Sequence, residues 1–119
     1  MKTLKLDHQL AEHVVTGEKT STWRLFDDKD LSVNDTVRLI DKVDPERPET
    51  WRVIGTGLIN QVIQKRLGDI GPEDMDGHTK YTSKGVILTT YRKYYGEKVN
   101  ETTTVKIVHF VFQPLQQGN

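Results

Sequence analysis

The spacing of apolar side chains changes period several times along the chain, and each change marks an element. Leu10, Ala11, Val14 and Val15 recur at the interval of one helix face, with Glu12 and His13 pointing elsewhere. Asp7 stands where a helix N-cap belongs, and Gly17 where the helix would stop. Thr20 to Leu25 is rich in β-formers and predicts a short strand. Thr36 to Lys42 alternates, with Val37, Leu39 and Asp41 on one side and Arg38 and Ile40 on the other. Asp44 to Glu49, with Pro45 and Pro48, is a turn. Trp51 to Arg66 is the longest β-like stretch, and Gly55-Thr56-Gly57 within it predicts a bulge or sharp bend. Leu67 to Lys80 is polar and glycine-rich, a long loop with one short turn. Ser83 caps a second helix that ends before Gly96, with Ile87, Leu88, Tyr91, Tyr94 and Tyr95 on its apolar face. Thr103 to Phe112 closes the chain as a hydrophobic strand. Helix, three or four strands, loop, helix and strand make an α+β chain, a twisted sheet or small barrel flanked by two helices.

Composition narrows the class. At 119 residues, with no Pro-, Gly- or Ser-rich linker and no repeat, the expectation is one domain over residues 1–113 and a flexible tail over 114–119. Hydrophobic residues are 34% and charged ones 29%, so the core is modest and the surface well solvated. No apolar run reaches the ~20 residues of a membrane span, and Met1 to Leu6 lacks the apolar segment of a signal peptide. The absence of Cys excludes disulfides, thiolate metal sites and Cys nucleophiles, and fits a reducing cytoplasm. Two glycosylation-like triplets, at Asn34 and Asn100, are accidental in that compartment.

Seventeen basic residues balance seventeen acidic ones, which alone argues against nucleic acid. The balance is uneven along the chain: residues 27–50 carry four bases and eight acids, and residues 77–119 six bases and two acids. Oppositely charged solvated faces are the plain explanation. The basic third also holds all four tyrosines, Tyr81, Tyr91, Tyr94 and Tyr95, a combination suited to stacking and phosphate contact with single-stranded RNA or a nucleotide.

Gly17-Glu18-Lys19-Thr20-Ser21-Thr22-Trp23-Arg24 matches the G-x-K-x-x-T-x-R signature of the ASCH domain. Leu31 to Val37 resembles that family's "x-V-G-D-x-V" turn, with Asn34 in the place of Gly. Leu67 to Ile70, Asp76 to His78, the Tyr-rich helix and Val105 to Phe110 resemble its C-terminal half. The resemblance runs from about Leu4 to Phe112 and implies a PUA-like small β-barrel of five to six strands flanked by two helices. It implies an RNA-binding module or, as in some small members, an amidohydrolase that removes the acetyl group of N4-acetylcytidine with a Lys, a Thr and a Glu. Carried over, these are Lys19, Thr22 and Asp76, the last standing where the family reads "E-G", with Glu73 as a second candidate. The expected partner is RNA or a modified cytidine nucleoside, bound by a monomer without metal or other cofactor. Ribonuclease activity of some relatives has no paired histidines to support it here.

The residues themselves allow that chemistry. Amide cleavage needs a nucleophile, a base and a donor for the developing oxyanion. Thr22 or a water supplies the first, and Lys19 the base if its pKa falls from ~10.4 toward neutrality through desolvation or a nearby cation. Arg24 is that cation, or a phosphate or carbonyl ligand. In a straight strand Thr20, Thr22 and Arg24 share one face while Lys19, Ser21 and Trp23 share the other, so Lys19 meets Thr22 only if the chain bends after Gly17. Binding without turnover would use the same groove, with Thr20, Glu73, Lys80, Tyr81, Lys84 and Arg92 assisting. Asp27-Asp28-Lys29-Asp30 is a solvated turn rather than a calcium loop. His8, His13, His78 and His109 have no metal-ligand spacing, Trp23 is a core residue, and Trp51 is either core or a stacking surface.

Overall fold

The computed structural model describes residues 1–115. Its elements are β1 (Lys2–Asp7), α1 (His8–Thr16), β2 (Ser21–Leu25), β3 (Thr36–Lys42), β4 (Arg52–Arg66), α2 (Lys84–Tyr95) and β5 (Thr104–Pro114), with single 3-10 turns at Pro48–Thr50, Leu67–Asp69 and Pro72–Met75. The strands form one curled sheet in the order β1-β3-β4-β5-β2, an open half-barrel of the α+β class. β1 runs parallel to β3, and the remaining pairings are antiparallel.

β1 departs from the sequence expectation, which began the fold at the helix. Only Leu4 and Leu6 alternate there among polar neighbours, and the strand runs into α1 without a turn residue. Its pairing with β3, from Lys2 opposite Val37 to Asp7 opposite Lys42, lies far away in sequence. Asp7 occupies the N-cap of α1 but makes no side-chain cap; its carboxylate accepts from Tyr94 Oη at 3.1 Å instead. Ser83 does cap α2, its Oγ accepting the Val86 amide at 3.2 Å.

Two irregularities bend β4. Leu39 faces Gly55 while Ile40 faces Val53, so Ile54 is an extra residue; Asn60 is another, between the Ile59–Phe110 and Gln61–His109 pairs. Gly55 permits the first bend, with φ +155° and a backbone so close that an added Cβ would lie 2.2 Å from the Gln113 carbonyl oxygen. The bend lets β5 keep pairing past Phe112, to Pro114 opposite Gly55, and the Leu115 amide bonds Ile54 O at 3.1 Å. Of the expected tail, residues 116–119 lie outside the described residues.

Two apolar clusters share the sheet. Leu4, Leu6, Val37, Leu39, Ile59, Val108 and Phe110 pack with Ala11 and Val14 of α1; Trp23, Leu25, Val105 and Ile107 pack with Ile87 and Tyr91 of α2. Each Leu, Ile, Val or Phe among them, fully buried, contributes roughly 1.5–3 kcal/mol. Buried Asp41 is satisfied by His8 Nδ1 at 3.0 Å and faces Arg52 at 3.6 Å. The acidic turn is less solvated than its composition suggests, because Asp27 accepts the Leu31 and Lys29 amides and the Lys106 ammonium, all at 2.9–3.0 Å. Burial opposes ionisation there, but those bonds outweigh it and hold the carboxyl below its usual pKa.

Candidate functional site

A cavity of about 450 Å³ opens between α1 and α2, over β1 and β2 and against the loop at residues 78–81. That volume lies within the range of small-molecule sites.

The stretch from Gly17 to Thr22 forms its floor. α1 ends at Gly17 with φ +88° and its amide on Val14 O, and the chain then folds back so that the Lys19 amide bonds His13 O at 3.0 Å. Regular pairing resumes only at Ser21, opposite His109. The irregular residues between supply the bend that strand alternation demanded, and Lys19 and Thr22 open on the same cavity. Both are nearly buried, at 4% and 5% exposure.

Lys19 is electrostatically perturbed in the direction a base requires. Burial, and then the Arg24 guanidinium, lower its pKa from 10.5 to about 8. No carboxylate counters either effect. Arg24 donates from Nη2 to Lys5 O at 3.3 Å, while its buried Nε and the buried Trp23 Nε1 have no acceptor among the described residues. Buried donors left without partners are uncommon in native folds, and such exceptions gather at functional sites.

The opposite wall is aromatic. His78 lies flat on Trp23, with centroids 4.4 Å apart and planes 12° from parallel, and Tyr91 is stacked on the same indole system at 6.0 Å and 17°. Burial, and next the Lys19 charge, push the His78 pKa down to about 3, so its ring is neutral. Burial raises the pKa of Tyr81 and, further, of Tyr91, so both keep their protons.

The loop bearing His78 is locked to β2. The Gly77 carbonyl accepts the amides of Thr20 and Ser21 at 2.8 and 3.1 Å, and Ser21 Oγ donates to Asp76 O at 3.2 Å. Gly77 has φ +67°, and a Cβ there would sit 1.9 Å from Thr20 Oγ1.

The residues singled out from sequence fall into two groups. Lys19, Thr22, Arg24 and Tyr81 line the cavity, as do the other three tyrosines. Thr20 is exposed at its edge, against Gly77. Asp76 contributes its carbonyl to the loop lock, but its exposed side chain is absent from the cavity wall. Glu73 is exposed and paired with Lys65 at 3.6 Å. Lys84 is exposed on the first turn of α2, and Arg92 is committed to Val99 O at 2.9 Å. The cations that reach the cavity are Lys5, Lys19, Arg24 and Lys42, all from the N-terminal half of the chain. Lys5 and Lys42 both reach Trp51, their ammonium groups 5.3 and 5.5 Å from its ring centroid. Among the described residues no cluster of three His, Cys, Asp or Glu could hold a metal, and no helix is long and apolar enough to cross a membrane.

No family model and no curated protein sequence matches the chain. Solved structures do. A DUF984 protein of Enterococcus faecalis superposes with TM-score 0.71 at 12% identity, covering 94% of this chain and 74% of that one. The ASCH protein of Zymomonas mobilis gives 0.66 at 15%, over 94% and 68% of the two chains. An ASCH domain of Lactobacillus crispatus gives 0.61 at 14%, over 93% and 79%. The fold of this chain is that of ASCH domains.

Proposed function

We propose that the cavity binds a cytidine acylated at N4 and hydrolyses its amide. The observation that carries this reading is Lys19: a nearly buried amine, with pKa lowered to about 8, in one cavity with the Thr22 hydroxyl. About a quarter of such lysines are neutral at pH 7.5 and able to accept a proton, against roughly one in a thousand for an ordinary lysine. Neutral Lys19 takes a proton from water or from Thr22 as its oxygen attacks the acyl carbon. The C–N bond then breaks, and the proton passes from Lys19 to the departing N4. Attack by Thr22 leaves an acyl-threonine that water hydrolyses in the same way, so either route consumes one water and yields cytidine and a carboxylate. Arg24 stabilises the negative charge on the carbonyl oxygen, and the tyrosine wall and the Trp23–His78 pair shield the base from water. Asp76 acts through its carbonyl, holding the loop on β2.

The exposed Asp76 carboxylate favours a second reading, binding of RNA or a modified cytidine without turnover. Loss of N4-acetylcytidine absorbance on incubation with the protein separates the two. Turnover abolished by Lys19→Met supports hydrolysis; tight cytidine or RNA binding without turnover supports the module.

A further inference from the structure

We propose that His78 is the group that reads the substrate's amide, its Nε2 accepting the hydrogen bond of the exocyclic N4–H. The inference rests on the hydrolase reading and names a specificity residue of that same site.

An N4-acyl cytosine presents a carbonyl, which needs a donor, and an N4–H, which needs an acceptor. Lys19 as ammonium, Arg24 and Thr22 offer the donors on the floor of the cavity. Acceptors are scarcer. Asp7 is the one carboxylate on the wall, and it faces Lys42 at 3.9 Å and receives the Tyr94 hydroxyl at 3.1 Å. The acids at 73, 74 and 76 lie off the wall: Glu73 and Asp74 with Lys65, and Asp76 in solvent. Gln9 is exposed on α1 and Thr90 Oγ1 donates to Val86 O at 2.8 Å, which leaves Thr79, three tyrosine hydroxyls and the His78 ring.

His78 is fixed as an acceptor by its own contacts. Its Nδ1 lies 3.2 Å from Thr79 O, and a carbonyl only accepts, so Nδ1 carries the hydrogen and Nε2 a bare lone pair. Nε2 has no partner among the described residues and is not fully buried, and the residue lines the cavity. The ring's orientation is set by the stack on Trp23 and by the Gly77 lock, so the acceptor is preorganised. The charged groups near the ring are Lys19 from the bend before β2, Arg24 of β2 and Lys80 of its own loop, and the uncharged Tyr81 lies beside it with ring centroids 5.8 Å apart. Burial first, and then the Lys19 and Lys80 charges, keep the imidazole neutral, an acceptor that adds no charge to the site.

The test compares N4-acetylcytidine with N4-acetyl-N4-methylcytidine, which keeps the carbonyl and lacks the N–H. The wild-type protein should prefer the first by ~10-fold or more in kcat/KM, the usual effect of one buried hydrogen bond. His78→Phe keeps an aromatic ring on Trp23 but removes the acceptor, and should bring the ratio close to one. His78→Gln, which restores an acceptor, should recover most of the preference, and it serves if the Phe variant fails to fold. A ratio unchanged in these variants, with wild-type turnover intact, overturns the role of His78 and leaves the hydrolase reading standing. If the wild type turns over neither compound, the hydrolase reading fails instead. The same ratio is then read from dissociation constants by calorimetry, where levelling by His78→Phe supports the acceptor and an unchanged ratio or no binding overturns it.

Discussion

Gly77 accepts the Thr20 amide at 2.8 Å, and this bond joins two segments 57 positions apart into one wall of the cavity. The strand side carries Lys19, Thr22 and Arg24, the loop side carries His78, and Gly77 is the seam.

Gly77→Ala should therefore damage the site more than the fold. The added Cβ would meet Thr20 Oγ1 at 1.9 Å in a backbone with φ +67°, so the loop must move away from β2. A loss of roughly 1–3 kcal/mol in stability is expected, with kcat/KM reduced by more than that loss explains. Gly17→Ala is the control: its φ of +88° is also positive, but nothing lies within 4 Å of the new Cβ. Urea denaturation and steady-state kinetics on both variants decide the matter; equal effects from the two would mean that Gly77 is no seam.

Lys19 should be a burden on stability. A buried amine whose pKa falls from 10.5 to about 8 binds fewer protons folded than unfolded between those values. The penalty is complete below pH ~8, on the order of 3 kcal/mol, and is relieved as pH rises toward ~10.5. Lys19→Met lacks it, so the variant should be the more stable protein at neutral pH by a few kcal/mol at most, its margin shrinking as pH climbs. Chemical denaturation at pH values near 7 and 10 measures this, and a margin that widened with pH would contradict it. A residue that destabilises the fold it sits in is retained for what it does.

Arg24→Gln should move Lys19 back toward its ordinary pKa, because the guanidinium is the second of the two causes of its depression. The rising limb of kcat/KM against pH then shifts to higher pH, and activity near pH 7 falls even if binding is unaffected. An unshifted limb would mean that Arg24 does not act on Lys19.

Lys5 and Lys42 line the cavity and each holds its ammonium over the ring of Trp51, a pair of cations on one aromatic side chain. If the cytidine arrives within an RNA strand, the flanking phosphate and base meet these three residues. Replacing both lysines by Ala should weaken binding of a short oligonucleotide and lower its salt slope by about 0.7 for each phosphate that is no longer neutralised. Binding of the nucleoside should change little.

Much of this was legible in the sequence, and what was not has identifiable causes. The α1 face, the Ser83 cap, the bend at Gly55 and the burial of Val37, Leu39 and Asp41 follow from local periodicity and glycine placement, which act over a few residues. The motif led directly to Lys19, Thr22 and Arg24. β1 was hidden because two leucines are a weak strand signal and its partner lies over 30 residues downstream. His78 was hidden because no spacing rule marks a lone histidine; its place follows from Gly77 docking on Thr20, a contact no local pattern encodes. The adjacent Gly, where a backbone had to approach closely, was the available signal. The segmental charge misled about the cavity: the basic C-terminal third supplies the tyrosines, while the cations that line the wall come from residues 5, 19, 24 and 42.

The central claim is that Lys19 acts as a base on an acylated cytidine, and the most direct test is the rate of N4-acetylcytidine loss from about pH 6 to pH 10. A rate constant that climbs about tenfold per pH unit and levels off near pH 8, where Lys19 loses its proton, is predicted. Lys19→Met should lower that plateau by at least ~10²-fold while remaining folded. A wild-type rate indifferent to pH across that range, or a Lys19→Met variant as active as the wild type, would contradict it.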